Sequence, residues 1–493
     1  MKVTRRSFIS KSVGVGLGTS FIAGLGLSNV SFHSRLKPYI SKTGEKHLFV
    51  DSDMLGQIHK VYRKVHAASK LEKPVLEADM PWEQGDIYDG KRDRRVYIYG
   101  TVLKDESTGL YKMWYNRLRS NLYATSTDGI NWTRPNLGQL GDNNMFNLFD
   151  FHCPSFILDR FESDPAKRYK AVGSSKGLGY FAAYSADGLN WNLYPKNPIL
   201  KSSDTITLSQ DPVTGEYLAF HKVNNDPRVK GRQVFLSVSK DMQTWSDPVP
   251  VMVTDELDHV EARRLPGGTH SEFYNMSAFP YANQWLGMVT HFRRTGEPKE
   301  KKFDGGHRQS FADGPIDIQL VHSRDGRHWK RCSDRSPVIA LGPYRYDSGS
   351  ILGLCNSPVI SGDEMWMYYT AMTTTHGGYL PDKEMSIARA SWRIDGLVSM
   401  RADNEPGMIE THPMVFEGNT LFINANVASG RLTVELLDAE GREISGYGKS
   451  IISKKDGVNI PVAWNGSRSL PAGTPIRFRF HLQKGDLFSY TVS

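Results

Sequence analysis

One short stretch of this sequence carries more ionisable side chains than a strand buried on one face should carry. The segment HSEFYNMSAFPY has a strand-like composition but includes His270, Glu272 and Tyr274. An imidazole and a phenol can act as the base and the acid of a proton-transfer reaction. The carboxyl of Glu272 suits a general acid if burial beside Phe273 and Tyr274 raises its pKa. These residues therefore form a candidate catalytic cluster, provided that the strand lines a cavity.

A repeated motif, S-x-D-G-x-x-W, predicts the architecture that holds this strand. The four copies are STDGINW, SADGLNW, SKDMQTW and SRDGRHW, ending at Trp132, Trp191, Trp245 and Trp329. Asp-Gly favours tight hairpin turns, and each copy follows a strand-rich segment. The tryptophans are 59, 54 and 84 residues apart, roughly the size of a propeller blade. With a fifth, degenerate unit, the repeat predicts an all-β fold with a five-bladed β-propeller over residues 47–405; an array of β-sandwiches is the alternative.

The last part of the chain has a different pattern. In GRLTVELLDAEGREISGY and PIRFRFHLQKGDLFSYTV, apolar and polar residues alternate strictly between turns that contain Gly or Pro. We therefore expect a small antiparallel β-sandwich over residues 410–493, which packs on the propeller and takes no part in the chemistry.

The N-terminus has the pattern of an export signal. TRRSFISK precedes an uncharged, Gly-rich stretch, and Arg5, Arg6 and Phe8 fit the twin-arginine pattern. Residues 1–32 are therefore predicted to be a signal of this type, with an ordinary signal or an uncleaved anchor as alternatives. No later stretch is apolar enough to span a bilayer, so we expect a periplasmic or secreted protein with no membrane span after processing.

The composition of the chain limits the partners that we expect but says little about the reaction. The net charge of +8 is scattered, and no nucleic-acid-binding motif is present, so nucleic acid is not an expected partner. An anionic small or polymeric substrate fits the excess of Lys and Arg. Cys153, Cys332 and Cys355 form neither a metal-ligand pattern nor a disulfide framework.

The repeat and the C-terminal pattern together resemble those of a known family. Five units with S-x-D-G-x-x-W hairpins, joined to a C-terminal β-sandwich, are similar to the secreted glycoside hydrolases related to fructosidases and arabinanases. The resemblance implies a funnel on the propeller axis, lined by the first strand of each blade. The catalytic candidates that it implies are His152, Asp204, His270, Glu272 and Tyr274. The substrate-binding candidates are Asp93, Arg94, Arg95, Asp347, Asn356 and His376.

The sequence departs from those hydrolases at their acidic triad. They carry one acidic residue on each of the first three blades, whereas this chain has His152-Cys153-Pro154 at the second position. Asp204 and Glu272 fall on the third and fourth blades and are the best carboxyl pair for glycoside hydrolysis.

Elimination on a uronic acid is the competing reaction. Arg94 or Arg95 would hold the substrate carboxylate, while His152, His270 and Tyr274 supply the base and the acid. A sugar leaving group makes the enzyme a lyase, and a hydroxyl leaving group makes it a dehydratase. The supply of His, Arg and Tyr favours elimination slightly over hydrolysis.

Each candidate also has a purely structural interpretation. His152 would satisfy a buried hydrogen bond, Tyr274 would pack with its hydroxyl tied to backbone, and Asp204 would cap a turn. Arg94 and Arg95 lie in the charge run KRDRR, which is typical of a solvated loop.

The sequence thus favours an exported enzyme that degrades oligosaccharides of an anionic, uronic-acid-containing polysaccharide. A propeller that binds glycan without turnover is the alternative class. No cofactor is expected. A structural metal ion on the axis would need His152, His270, His307 and His376 as ligands, and their spacing supports this only weakly.

Overall fold

The computed structural model describes residues 38–175, 177–201, 204–296, 310 and 312–493. The predicted export signal and His307 lie outside these residues. The chain is mostly β, as predicted, and the described ranges contain one α-helix, α1 (Glu256–Arg263), and three short 3-10 turns. The turns are Pro81–Glu83, Pro165–Lys167 and Arg345–Asp347. Within the same ranges, no helix is both long and apolar enough to cross a membrane.

The first described segment contributes seven short strands to three different parts of the fold. They are β1 (Tyr39–Ser41), β2 (Lys46–Leu48), β3 (Leu55–His59), β4 (Tyr62–Val65), β5 (Ser69–Lys70), β6 (Gln84–Tyr88) and β7 (Lys91–Arg94). Strands β6 and β7 form a separate hairpin.

Five antiparallel sheets then follow one another along the chain. The first contains β8 (Val102–Lys104), β9 (Tyr111–Arg117), β10 (Ser120–Ser126) and β11 (Met145–Phe146); the second contains β12 (His152–Leu158), β13 (Tyr169–Ser175), β14 (Gly179–Ser185) and β15 (Trp191–Leu193). The third contains β16 (Ile206–Gln210), β17 (Tyr217–His221), β18 (Val234–Ser239) and β19 (Val249–Met252); the fourth contains β20 (His270–Tyr281), β21 (Gln284–Arg294), β22 (Ile316–Ser323) and β23 (Trp329–Arg331). The fifth contains β24 (Ser350–Leu354), β25 (Val359–Ser361), β26 (Glu364–Met372) and β27 (Met385–Arg393), and β5 pairs with β27 at its edge.

Hydrogen bonds join the innermost strands of these five sheets in sequence order and then connect the fifth to the first. The bonds are Thr101 Oγ1 to Phe156 O, Leu208 N to Ser155 Oγ, Thr207 Oγ1 to Met276 O, Ser277 Oγ to Leu354 O, and Asn356 N to Gly100 O. The inner strands therefore surround a common axis.

The motif S-x-D-G-x-x-W forms the tight turn predicted from the sequence. In the second copy, Asp187 Oδ1 accepts hydrogen bonds from the backbone N–H groups of Leu189 and Asn190, both at 2.8 Å. Gly188 is in the left-handed region with φ of +80°, and its carbonyl accepts a 2.7 Å bond from Trp114 Nε1 of the first sheet. The turn thus also joins neighbouring sheets.

The remaining strands form two larger sheets with the N-terminal segment. They are β28 (Val398–Ala402), β29 (Gly407–Thr411), β30 (Met414–Phe416), β31 (Leu421–Asn426), β32 (Arg431–Asp438), β33 (Ser450–Ser453), β34 (Asp456–Pro461), β35 (Ile476–Gln483) and β36 (Gly485–Val492). The alternating apolar residues predicted to share faces are buried in one core: Leu432, Val434, Leu436, Ile476, Phe478 and Phe480.

The sheets divide the chain differently from the predicted ranges. Strands β1 and β3 belong to the sheet of β35, and β2 and β4 belong to the sheet of β36. Strand β28 also pairs with β36, although it precedes residue 410. Local alternation indicates where strands lie, but it carries no information on pairing across more than 300 residues. The predicted ranges 47–405 and 410–493 therefore separate strands that pair with each other.

Candidate functional site

The polar run in β20 contains a β-bulge. His270 and Glu272 lie opposite Arg294 and Phe292 of β21, and the register then shifts between Phe273 and Met276. A bulge leaves residues outside the regular ladder and turns their side chains, which is why bulges recur beside functional sites. Tyr274 lies inside this shift and is half-buried, in contrast to the buried Phe273.

Charged, imidazole and phenol side chains from four sheets gather around Tyr274. We call this group the axial cluster: His152, Asp204, Lys222, Arg232, His270, Glu272, Tyr274, Arg294 and His376. They come from the start of β12, the segment before β16, the loop between β17 and β18, β20, the end of β21, and the segment after β26. The structure thus brings together all five catalytic candidates and one substrate-binding candidate.

Lys222 organises the centre of the axial cluster. Its side chain is 5% exposed, and its Nζ donates a 2.6 Å hydrogen bond to Asp204 Oδ2. The same ammonium lies 3.4 Å from the centre of the Tyr274 ring, a close cation–π contact. Burial alone would raise the pKa of Asp204, but the Lys222 ammonium holds it below its usual value. Asp204 is therefore an ionised carboxylate at neutral pH.

Glu272 is paired with two arginines, and the predicted direction of its pKa shift is wrong. Burial would raise the pKa of Glu272, but the charge and hydrogen bond of Arg232 outweigh burial and lower it. Arg232 Nη1 lies 2.7 Å from Oε2, while Arg294 Nη1 and His270 Nε2 each lie 3.3 Å from Oε1. Glu272 is thus a poor proton donor at neutral pH.

His152 and Tyr274 remain neutral for the same physical reason. Burial lowers the pKa of His152, which leaves its imidazole free to accept a proton. Burial, reinforced by the Asp204 charge, raises the pKa of Tyr274 well above its usual value, so the phenol keeps its proton. Among the residues that the structure describes, none forms a hydrogen bond with the Tyr274 hydroxyl, so the phenol is not tied to the backbone.

The imidazole ring of His376 packs against the aromatic rings at the edge of the axial cluster. Its ring centre lies 5.2 Å from that of Tyr274 and 5.0 Å from that of Phe292. Burial lowers the pKa of His376 to about 3, and its Nδ1 is 2.8 Å from the carbonyl of Ala312. The neutral imidazole therefore donates from Nδ1 and packs Tyr274 in place.

The two arginines proposed as a carboxylate clamp have other partners. Arg95 is buried and forms a bidentate pair with Asp93, at 2.6 Å and 2.7 Å. Arg94 donates to the carbonyl of Ala78 at 3.4 Å and lines a small recess that it shares with Glu384. Within the described ranges, neither side chain forms a hydrogen bond or an ion pair with the axial cluster.

Asp347 and Asn356 are held in structural networks. Asp347 is fully buried and accepts hydrogen bonds from Lys70 Nζ at 2.5 Å and Tyr369 Oη at 2.9 Å. Asn356 Nδ2 donates to the carbonyls of Phe156 and Leu208. Asn356 thereby ties inner strands together, while Asp347 fixes β5 to the fifth sheet.

Sequence reasoning missed three cations of the cluster, Lys222, Arg232 and Arg294. The position of Lys222 could have been predicted, because β16 and β17 form a hairpin in which Ile206 lies opposite His221. The residues just before β16 and just after β17 must then lie together, which pairs Asp204 with Lys222. Arg232 lies in an irregular loop and had no comparable signal.

The described part of the chain contains no group of three or more His, Cys, Asp and Glu side chains arranged to hold a metal ion. Of the four histidines considered as ligands, His152, His270 and His376 each have separate protein partners.

No protein-family profile and no curated protein matches the sequence. The chain is similar to several solved structures of carbohydrate-active enzymes. An N-acetylgalactosamine deacetylase from F. plautii is 14% identical, with a TM-score of 0.43 over 67% of this chain and 95% of that one. A β-1,2-mannobiose phosphorylase from Listeria innocua is 12% identical, with a TM-score of 0.41 over 68% and 97%. A family 43 arabinoxylan arabinofuranohydrolase from Bacillus subtilis is 10% identical, with a TM-score of 0.36 over 81% and 96%.

Proposed function

We propose that this protein is an exported enzyme that cleaves oligosaccharides of a uronic-acid-containing polysaccharide by elimination. In this proposal the five sheets around the axis are the blades of a five-bladed propeller, and the two larger sheets form a β-sandwich. Residues 1–32 act as the export signal. The reaction takes place at the axial cluster and uses no cofactor.

The single observation that carries the proposal is the excess of positive charge in the axial cluster. Lys222, Arg232 and Arg294 surround two carboxylates, those of Asp204 and Glu272. Among the described residues these three cations therefore outnumber the two carboxylates by one, and a substrate carboxylate would balance the charge. Arg232 is the best receptor, because 32% of its side chain is exposed.

The protonation states of His152 and Tyr274 favour elimination. Elimination needs an unprotonated base for the C5 proton and a protonated acid for the leaving oxygen at C4. We assign the base to His152 and the acid to Tyr274. The C5–H electrons form the C4–C5 double bond as the C4–O bond breaks, and the phenol proton goes to the departing oxygen. Arg232 and Lys222 stabilise the negative charge that develops on the substrate carboxylate.

Glycoside hydrolysis is the second candidate. Asp204 and Glu272 are acidic, lie in the same cluster and both interact with the Arg232 charge. A hydrolase, however, needs one of the two carboxyls to be protonated. The cations beside both groups lower their pKa values, and this is why we rank hydrolysis second.

A screen of substrates tests the proposal. Purified protein is incubated with oligosaccharides of galacturonate, glucuronate and mannuronate, and the ultraviolet absorbance of a C4–C5 unsaturated uronate is followed. We expect absorbance to rise with at least one substrate and not with its methyl ester, which lacks the charge. The Tyr274→Phe variant should abolish the signal. Reducing-sugar release without absorbance would favour hydrolysis, and binding without any product would favour the non-catalytic propeller.

A further inference from the structure

Cys153 has a backbone conformation that a buried residue other than glycine rarely adopts. It is the second residue of β12, is 1% exposed and has a φ of +50°, in the left-handed region. The register between β12 and β13 shifts between His152 and Ser155, so Cys153 lies within a β-bulge. Conformations of this kind persist only where surrounding contacts fix them, and they recur beside functional sites. The contacts of the thiol therefore indicate what this bulge does.

The bulge brings the thiol of Cys153 to the imidazole of the residue before it. On a regular strand, the side chains of consecutive residues point to opposite faces. Here, however, Cys153 Sγ lies 3.2 Å from His152 Nε2, within hydrogen-bond distance for sulfur. Among the described residues, no other group forms a hydrogen bond with this nitrogen. The thiol is thus the partner of one of the two ring nitrogens of the proposed base.

The other ring nitrogen of His152 carries the proton. Nδ1 lies 3.4 Å from the carbonyl oxygen of Leu118, which can only accept a hydrogen bond. Tyr97 Oη donates to the same carbonyl at 2.5 Å and lies 3.5 Å from Nδ1, so its lone pairs rather than its proton face the ring. In a neutral imidazole only one nitrogen carries a proton. Nε2 therefore holds the lone pair that accepts a proton.

The thiol is the donor in its contact with His152. Burial raises the pKa of Cys153 well above its usual value, so the thiol keeps its proton at neutral pH. The S–H group then faces the lone pair of Nε2. A donor to this lone pair stabilises the neutral imidazole and so lowers the pKa of the histidine. Because a thiol is a weak donor, a substrate can displace it from the nitrogen.

Charged groups on neighbouring elements also act on His152. Asp204 raises its pKa, whereas Arg119, between β9 and β10, and Lys222 lower it. Asp204 and Lys222 form an ion pair at 2.6 Å, so their fields at the ring partly offset each other. Cys153 differs from these three groups, because it forms a hydrogen bond with the ring itself.

We propose that Cys153 is a positioning residue for the base, whose thiol donates to His152 Nε2 and holds the imidazole ring in one orientation until the substrate displaces it. The catalytic meaning of this bond rests on the proposed function, but the bond itself does not. The thiol forms no covalent bond with the substrate. Once the base has taken the C5 proton, Nε2 becomes a donor and Sγ can accept from it.

Titration of the His152 imidazole by NMR tests the bond in the full-length protein without reference to activity. The protein is labelled with ¹³C at the histidine Cε1 atoms, and His152→Gln assigns the resonance. In Cys153→Ala the pKa of His152 should rise by about 0.5 or more, because the donor to its neutral form is gone. Cys153→Ser retains a donor, so its titration should stay close to that of the wild type. Cys332→Ala is the matched control, because it removes a buried thiol from a core cluster that does not include His152.

Two results would overturn the inference. An unchanged His152 titration in Cys153→Ala would show that the thiol does not bond the ring. An equal rise in Cys153→Ala and Cys153→Ser would assign the change to lost side-chain volume. If Cys153→Ala does not fold, Cys153→Gly replaces it, because glycine adopts the left-handed backbone without strain and also lacks the donor.

The pH profile of the reaction separates this inference from the proposed function. In Cys153→Ala the acid limb of kcat/KM should move to higher pH together with the NMR titration, and Cys153→Ser should restore it. A shifted titration with an unshifted acid limb would show that the bond does not position the base. A wild-type protein that shows the expected titrations but no elimination on any uronate would refute the reaction and leave the bond between Cys153 and His152 in place.

Discussion

Tyr274 is the residue whose environment is most specific to chemistry. Its ring lies under the Lys222 ammonium and against His376, while its hydroxyl has no hydrogen-bond partner within the described chain. Tyr274 is half-buried, and a Tyr with a purely structural role usually has its hydroxyl bonded to a protein group. The position therefore combines a fixed ring with a hydroxyl that is free to act on a substrate.

Replacement of Tyr274 by Phe separates catalysis from stability. Because the hydroxyl makes no hydrogen bond to any described residue, we expect the free energy of unfolding to change by less than about 0.5 kcal/mol. Loss of the general acid should reduce kcat by roughly 10²- to 10⁴-fold. Urea unfolding and steady-state kinetics measure the two quantities. Unchanged kcat in a folded variant would remove Tyr274 from the mechanism.

The pH profile tests the assignment of His152 as base. Only the neutral imidazole accepts a proton, so kcat/KM falls as the pH drops through the pKa of His152. Burial lowers that pKa from its usual 6.5, and the acid limb should therefore have its midpoint below 6.5. The raised pKa of Tyr274 predicts that the loss of its own proton does not reduce activity below about pH 10. An acid midpoint above about 7 would contradict the assignment.

For single residues of the axial cluster, the sequence predicted the acidic and neutral side chains better than the cationic ones. Glu272 and Tyr274 interrupt the alternation of a strand, and such a conflict is visible without a structure. Arg232 lies in a loop and approaches Glu272 only after the third and fourth sheets pack together. The sequence indicated that Glu272 would be buried but gave no sign of Arg232 beside it. The pKa of Glu272 was therefore predicted to rise.

At the scale of elements, the S-x-D-G-x-x-W turns determine how neighbouring sheets pack. The sequence predicted the turn itself, because Ser, Asp and Gly form it through local hydrogen bonds. The contact of Gly188 with Trp114 depends on the arrangement of two sheets, which local residues do not encode. In the first copy of the motif, the carbonyl of Gly129 accepts a 2.8 Å hydrogen bond from Tyr368 Oη of the fifth sheet.

Two glycine substitutions measure this packing. A Cβ at Gly188 would lie 2.8 Å from Trp114, whereas a Cβ at Gly473 meets nothing within 4 Å, and both residues have positive φ. Gly473→Ala should reduce the free energy of unfolding by about 1 kcal/mol, the strain of the backbone alone. Gly188→Ala should add a packing penalty of about 1–3 kcal/mol. Equal losses in chemical unfolding would show that the turn does not join the sheets.

At the scale of the whole molecule, the N-terminal segment completes sheets formed by distant parts of the chain. Strand β5 pairs with β27, and Lys70 bonds Asp347 and the carbonyl of Gly342 from there. The repeat predicted five units, and five antiparallel sheets follow one another along this part of the chain. It contained no sign that β5 would join the last of them, since a two-residue strand has no detectable pattern.

Removal of the Lys70 charge tests whether β5 stabilises the fifth sheet. Lys70→Met leaves Asp347 buried without its cation, and breaking such a pair should reduce the free energy of unfolding by about 3–5 kcal/mol. Lys42→Met breaks an exposed pair with Glu417 and should change it by less than about 1 kcal/mol. Chemical unfolding followed by tryptophan fluorescence compares the two variants. Similar midpoints would mean that β5 does not secure the fifth sheet.

The mass balance of the reaction tests the central claim most directly. Mass spectrometry of the products from a defined uronate oligosaccharide distinguishes the chemistries without reference to any residue. Elimination at a glycosidic bond predicts products whose masses sum to that of the substrate, and elimination of a hydroxyl predicts the loss of one water. Products whose masses sum to the substrate plus one water would demonstrate hydrolysis and contradict the account.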